Sequence, residues 1–161
     1  MRTRHDLSTH GRKTGWTLVE LLLILAVVGV LAAIAFPTYN NYRERIKRST
    51  AILDIRALQT MIKDYAADNG GAFPMSLAEV GNGGKLDPWG RPYQYLNLTT
   101  GHGRGGARKD RRLNPINSDF DLYSMGKDGD TRTQLTNRVS LDDIVRARDG
   151  SFVGLASEFS G

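Results

Sequence analysis

Residues 16–36 read WTLVELLLILAVVGVLAAIAF, and Glu20 is the only charged side chain among them. At about 1.5 Å of rise per residue a helix over this stretch covers roughly 30 Å, the thickness of a bilayer's hydrocarbon core. The stretch therefore has the length and composition of a single membrane-spanning helix. An anchor with no further task has no use for the carboxylate, because an acidic side chain held near the bilayer interior costs about 2.5 to 3.5 kcal/mol on insertion scales. Its presence implies a partner that neutralises it. Ala33-Ile34-Ala35 also reads as the small-residue site of a secretory signal, and cleavage after Ala35 would release a soluble protein. That alternative leaves Glu20 without a role.

The flanks do not orient the span by charge. Arg2, Arg4, Arg12 and Lys13 precede it, while Arg43, Arg45, Lys47 and Arg48 follow closely, so the positive-inside count is nearly tied. The four leading cations against Asp6 supply +3 of the formal +5, so a chain without residues 1–15 carries only +2. The basic isoelectric point is thus largely a feature of the leading segment, and no nucleic-acid partner is expected. With 161 residues, the chain holds one small domain besides the apolar run. It has 0 cysteines, which excludes a disulfide scaffold and thiolate metal sites. Its three histidines, at positions 5, 10 and 102, are too scattered for a histidine metal cluster.

Helical periodicity continues past the span. Tyr39, Tyr42, Ile46 and Leu53 form one stripe, and Ala51, Ile55, Leu58, Ile62 and Tyr65 a second at three- and four-residue steps. Asn69-Gly70-Gly71 is a strong stop. A helix from Trp16 to about Asp68 would be on the order of 80 Å long, more than a small domain is wide, so its first half is expected to project. Pro37 falls inside it and marks a kink or a place where the helix loosens. Beyond the stop, Gly, Pro, Asn and Asp punctuate short apolar runs. Residues 92–98 alternate like a strand, Phe120 to Ser124 form a second strand candidate and Ser151 to Leu155 a weaker third. The glycine-rich basic segment 101–112 between the first two reads as a solvated, mobile hairpin loop. The expected class is α+β: a long helix, transmembrane over 16–36 and amphipathic over 37–69, then a small antiparallel sheet within 70–161.

Lys13-Thr14-Gly15-Trp16-Thr17-Leu18-Val19-Glu20-Leu21 resembles the leader junction of type IV pilins and type II secretion pseudopilins: a basic residue, Gly, an aromatic residue, Thr, Leu, an aliphatic residue and Glu. Trp16 stands where that family usually has Phe. Two further motifs are similar to the major pseudopilin branch: Asp-Pro-Trp-Gly-x-Pro-Tyr-x-Tyr, here Asp87 to Tyr95, and Asp-Leu-Tyr-Ser-x-Gly-x-Asp-Gly, here Asp121 to Gly129. The resemblance covers most of residues 13–145 and implies a pilin lollipop.

It also implies that a prepilin peptidase removes residues 1–15 by cutting between Gly15 and Trp16 and methylates the new Trp16 amine. The N-terminus is then cytoplasmic, and the domain faces the periplasm from the inner membrane. Glu20 would pair with the Trp16 amine of a neighbouring subunit, giving a homopolymeric periplasmic filament. The further partners implied are minor pseudopilins, an inner-membrane platform protein with its cytoplasmic ATPase and, before assembly, membrane lipid. Ca²⁺ is the cofactor implied: Asp128, Asp142 and Asp143 match the family's carboxylates, and the carbonyls of Leu122 and Met125 could complete the shell. After Gly129 the chain departs from the family, with Asp130 to Leu141 in place of a Gly-Gly pair. Without a metal, Asp128-Gly129 reads as a turn and Asp142-Asp143 as a cap on a helical turn near Ile144. The alternatives are a surface type IV pilus subunit, for adhesion, motility or DNA uptake, and a secreted calcium-binding protein released after Ala35. Enzyme readings find little support: a triad needs a histidine placed by a core, and no Walker-type phosphate loop is present.

Overall fold

The computed structural model describes residues 15–101 and 104–159. The expected leader up to Thr14, and His102 and Gly103 of the basic segment, lie outside the described residues. One helix, α1, runs Leu18–Asp68 over 51 residues. It starts two residues later than Trp16 because Thr17 acts as its cap. It stops where expected, with the Gly71 N–H donating to the Ala66 carbonyl at 2.7 Å, the bond that closes a Schellman motif around Asn69-Gly70. The helix is continuous through Pro37. Pro37 has no N–H to offer the Ala33 carbonyl, and in the same turn the Thr38 hydroxyl donates to the Ile34 carbonyl at 2.9 Å.

The chain forms two units, one ending at Asn41 and the other beginning at Tyr42. The first is the apolar helix. Its best 18-residue window has a mean hydropathy of 2.9 with none of it buried, and its large side chains from Leu18 to Phe36 are exposed. By length and composition it can cross a bilayer once.

The second unit packs the rest of α1 on a sheet. Strands β1 (Gln94–Asn97), β2 (Phe120–Ser124), β3 (Ile144–Ala147) and β4 (Phe152–Leu155) pair antiparallel in chain order. Gln94 lies opposite Tyr123, Ser124 opposite Ile144, and Ile144 opposite Leu155. Ala51, Ile55, Leu58 and Ile62 of α1 are buried against Tyr93, Phe120, Leu122 and Ile144. Tyr65, expected in this stripe, is half-buried, and Ala66 takes the buried position instead. The other stripe, Tyr39, Tyr42, Ile46 and Leu53, is exposed. A second cluster, Ile116, Leu135, Val145, Ala147, Ala156 and Phe159, covers the opposite face of the sheet.

Strand β3 corrects the expected helical turn at Ile144. Its four residues are all buried because it lies between both apolar layers, Ile144 facing α1 and Val145 and Ala147 facing the second cluster. Arg146, on the helix-facing side, is 1% exposed, and its guanidinium carbon lies 3.9 Å from the Phe120 ring centroid. A strand buried on both faces shows no alternation, and its arginine disguises it further.

The β3–β4 connection turns at Arg148 and Asp149, both at positive φ. The Asp149 carboxylate accepts from the Ser118 N–H at 2.7 Å and its hydroxyl at 2.9 Å. Burial alone would raise its pKa, but the Ser118 bonds together hold it below the ordinary value. The ionised form is favoured by folding, so its contribution is present above the unfolded carboxylate pKa of about 3.9 and is lost as pH falls through the lower folded value. Asp149→Asn is expected to cost about 1 kcal/mol at neutral pH, modest because the group is exposed. Urea unfolding at neutral pH and near pH 2 checks this: the difference from wild type should close in acid.

Candidate functional site

Glu20 sits on the first turn of the exposed apolar helix and closes it. Its Oε2 accepts from both the Thr17 N–H and the Thr17 hydroxyl at 2.8 Å. In return the Glu20 N–H donates to the Thr17 hydroxyl oxygen at 3.2 Å. This is a reciprocal capping box, with Thr at the N-cap and Glu at N3. The arrangement turns the carboxylate back toward the helix N-terminus, where the macrodipole favours an anion and where exposed Trp16 follows Gly15. The T-x-x-E spacing of Thr17 and Glu20 was the available sequence signal; intermolecular pairing alone does not reveal this local role.

Downstream, the two specific motifs meet. Buried Asp87 accepts the Trp89 N–H at 3.0 Å and the Arg91 N–H at 2.9 Å through Oδ1, closing the Asp-Pro-Trp-Gly turn. Its Oδ2 accepts the Ser124 hydroxyl. The Ser124 oxygen in turn accepts the Gly126 N–H at 3.2 Å. From the same turn, Arg91 donates to the carbonyls of Gly126 at 2.7 Å and Lys127 at 3.3 Å. The motif also grips α1: Trp89 Nε1 donates to Glu44 at 3.1 Å, and the Tyr93 hydroxyl donates to Asp54 at 2.9 Å. Burial and then Asp54 push the Tyr93 hydroxyl well above the usual tyrosine range.

The C-terminal loop places its carboxylates differently from the expected ligand set. Asp142 Oδ2 accepts the backbone N–H groups of Lys127 at 2.8 Å and Asp128 at 3.1 Å. Asp128 Oδ1 accepts the Asp130 N–H at 2.9 Å. Asp143 is fully buried, and its Oδ2 accepts from Arg108 Nη2 and from the Thr131 hydroxyl. Burial pushes the Asp143 carboxyl up to about 6 against the pull of Arg108. The Met125 carbonyl accepts the Gly129 N–H at 3.2 Å, while Leu122 lies in β2 opposite Tyr95. Among the described residues, no three His, Cys, Asp or Glu side chains converge as a metal-binding group.

Several relatives share most of this chain's length. The type II secretion system core protein G of Pseudomonas aeruginosa is 29% identical over 138 residues, spanning 73% of this chain and 86% of the relative. A fimbrial protein of Neisseria meningitidis is 27% identical over 136 residues, spanning 84% of this chain and 79% of the relative. The chain is a pilin-like protein. A shorter match, 39% identical over 57 residues, joins it to a type IV major pilin of Myxococcus xanthus. No protein-family model and no solved structure matches it.

In this pilin-like chain, Glu20 and Trp16 occupy one helix end, and Pro37 lies within the same apolar unit. The acidic loop residues lie in the other unit. Asp142 is joined to Asp128 through the latter's N–H, while Asp143 is drawn inward by Arg108. Arg108 was hidden in the basic segment. That segment is not wholly solvated: Ala107 and Arg108 are buried, and Lys109 bridges to Gln134 through backbone bonds of 2.9 Å to Thr133 and Leu135. No local pattern marked it: Ala107 is a single apolar residue among glycines and charges.

Proposed function

We propose that this chain is the major structural subunit of a type II secretion pseudopilus, a periplasmic filament that helps drive folded proteins across the outer membrane. The observation that carries the reading is Glu20, held by Thr17 at the N-terminal end of an apolar helix whose side chains are exposed. In a filament these stems pack against one another, and the carboxylate meets the Trp16 amine of a neighbour. An unpaired charge left in that apolar packing would cost several kcal/mol, so each pairing favours one axial register. A prepilin peptidase would expose the amine, minor pseudopilins would join the filament, and a platform protein with a cytoplasmic ATPase would supply the work. The domain would be periplasmic on a single inner-membrane span.

The secretion branch draws support from the junction of Asp87, Arg91 and Ser124 and from the core protein G relatives. A surface type IV pilus subunit is the second reading, favoured by the fimbrial relative that spans 84% of the chain. Intact-mass and N-terminal fragment spectra of the mature chain test the common step, with an N-methylated Trp16 terminus expected. A Phe36 terminus would sink both readings and support secretion of a soluble domain. Deletion of the gene separates the branches: accumulation of exoproteins in the periplasm supports the pseudopilus, and loss of surface fibres with normal export supports the pilus.

A further inference from the structure

Two cations from earlier in the chain are built against the acidic C-terminal loop. Arg108, only 2% exposed, places one guanidinium nitrogen on Asp143 and the other on the Thr131 hydroxyl, which itself donates to Asp143 at 2.6 Å. The guanidinium carbon lies 4.1 Å from the Tyr123 ring centroid, so one face of the cation rests on an aromatic surface. Thr131 belongs to Asp130–Leu141, the insertion that replaces the family's Gly-Gly pair, so the departure itself supplies the third member of the cluster. At the neighbouring turn Arg91 occupies the Gly126 and Lys127 carbonyls. Gly126, at φ +63, lets the turn close on Asp142: a Cβ there would stand 2.3 Å from the Asp142 carbonyl oxygen. A Cβ on Gly129 would stand 2.4 Å from the Arg91 guanidinium.

These donors do not fit a calcium ion. Calcium needs six to eight oxygen ligands converging on one point. Here the side chains of Asp128, Asp142 and Asp143 are directed to separate protein donors, and Asp143 faces a fixed positive charge. The buried atoms without partners in that pair are one acceptor, Asp143 Oδ1, and one donor, Arg108 Nε. A second cation would satisfy the first and be repelled by the second.

We propose that Arg108, assisted by Arg91 at the adjoining turn, takes the place of a divalent cation in this loop, so that residues 125–143 fold without calcium. The charge that balances Asp143 is then covalently part of the subunit, and the stability of the loop is independent of calcium supply. This inference concerns the unit beginning at Tyr42 and stands whichever filament the chain enters.

The full-length mature chain in detergent micelles provides the test, melted with near-ultraviolet circular dichroism as the readout. With about 1 mM calcium chloride, about 1 mM magnesium chloride or about 1 mM EGTA, the midpoints are expected to agree within about 1 °C, because an ion that does not bind the folded state does not stabilise it by mass action. A larger rise with calcium, absent with magnesium, overturns the proposal. Arg108→Gln removes the charge while keeping a donor, and its midpoint in EGTA is expected to fall by about 5 to 15 °C. A variant melting at the wild-type temperature in EGTA overturns the assignment of Arg108. If that variant does not fold, the comparison of ions on the wild-type chain still decides.

Discussion

In the proposed filament, Glu20→Val is expected to leave the subunit in the membrane and abolish assembly. The substitution makes the span wholly apolar, removing an insertion cost of about 2.5 to 3.5 kcal/mol, so fractionation should find the variant in the membrane at wild-type levels. Assembly responds in the opposite direction, because the Trp16 amine of each neighbour would lose its counter-charge within packed stems. The capping box complicates the interpretation, since Val also removes the bonds that Glu20 makes with Thr17. Loss of a helix cap costs about 1 kcal/mol, a modest effect beside the fixed length of apolar helix that follows. Glu20→Gln separates the two roles. Glutamine still serves at N3 of a capping box but carries no charge. If charge pairing drives registration, Glu20→Gln assembles no better than Glu20→Val; if the cap is the essential feature, Glu20→Gln filaments look normal in sheared fractions and by electron microscopy. Normal filaments from Glu20→Val would remove both explanations.

The parts of this chain written in local pattern were legible. The helix from Leu18 to Asp68 follows from an apolar run, a three- and four-residue stripe and an Asn-Gly-Gly stop, each confined to a few neighbouring positions. Strands β1, β2 and β4 likewise carry aromatic and β-branched residues between turn signals. What stayed hidden depends on contacts distant in sequence. Strand β3 is buried on both faces, so it has no alternation to detect, and its Arg146 reads as a solvent-facing charge until Asp119, Gln59 and Phe120 are placed around it. Arg108 presents the same difficulty: glycine and charge around it suggest a mobile loop, whereas Asp143 and Thr131 make it an interior residue. Buried arginines escape composition-based reading because only their partners reveal why burial is tolerated. The acidic loop shows the converse limit. A family resemblance predicts which carboxylates lie in it, but not the donors they face: Arg108 and Thr131 on Asp143, and backbone N–H groups on Asp142 and Asp128.

Arg146→Ala is expected to destabilise the unit beginning at Tyr42 by about 3 to 5 kcal/mol, the range for breaking a buried ion pair from one side. Arg146 forks onto Asp119 with bonds of 2.7 and 2.6 Å, donates to the Phe120 carbonyl at 2.8 Å and reaches Gln59 on α1 at 2.6 Å. Truncation takes a donor from four acceptor atoms, two on Asp119 and one each on Phe120 and Gln59, and removes the stem that packs on Phe120. For a unit of this size the melting midpoint should fall on the order of 10 to 20 °C, and amide exchange should accelerate along the α1 segment around Gln59. A fall of less than about 2 °C would show that the pair contributes little. Arg146→Lys should recover only part of the loss, because an ammonium keeps the charge without the planar fork that meets both Asp119 oxygens. A stronger test replaces both charges, as Arg146→Met with Asp119→Leu. Desolvation opposes a buried pair, so the apolar replacement can match wild-type stability even though each single change is costly. If it does, the pair's advantage lies in register: its short bonds set one position of the helix against β2 and β3, whereas an apolar contact tolerates sliding. Near-ultraviolet circular dichroism and amide exchange then distinguish the two, since a slipped core would lose aromatic asymmetry and helix protection at an unchanged melting temperature.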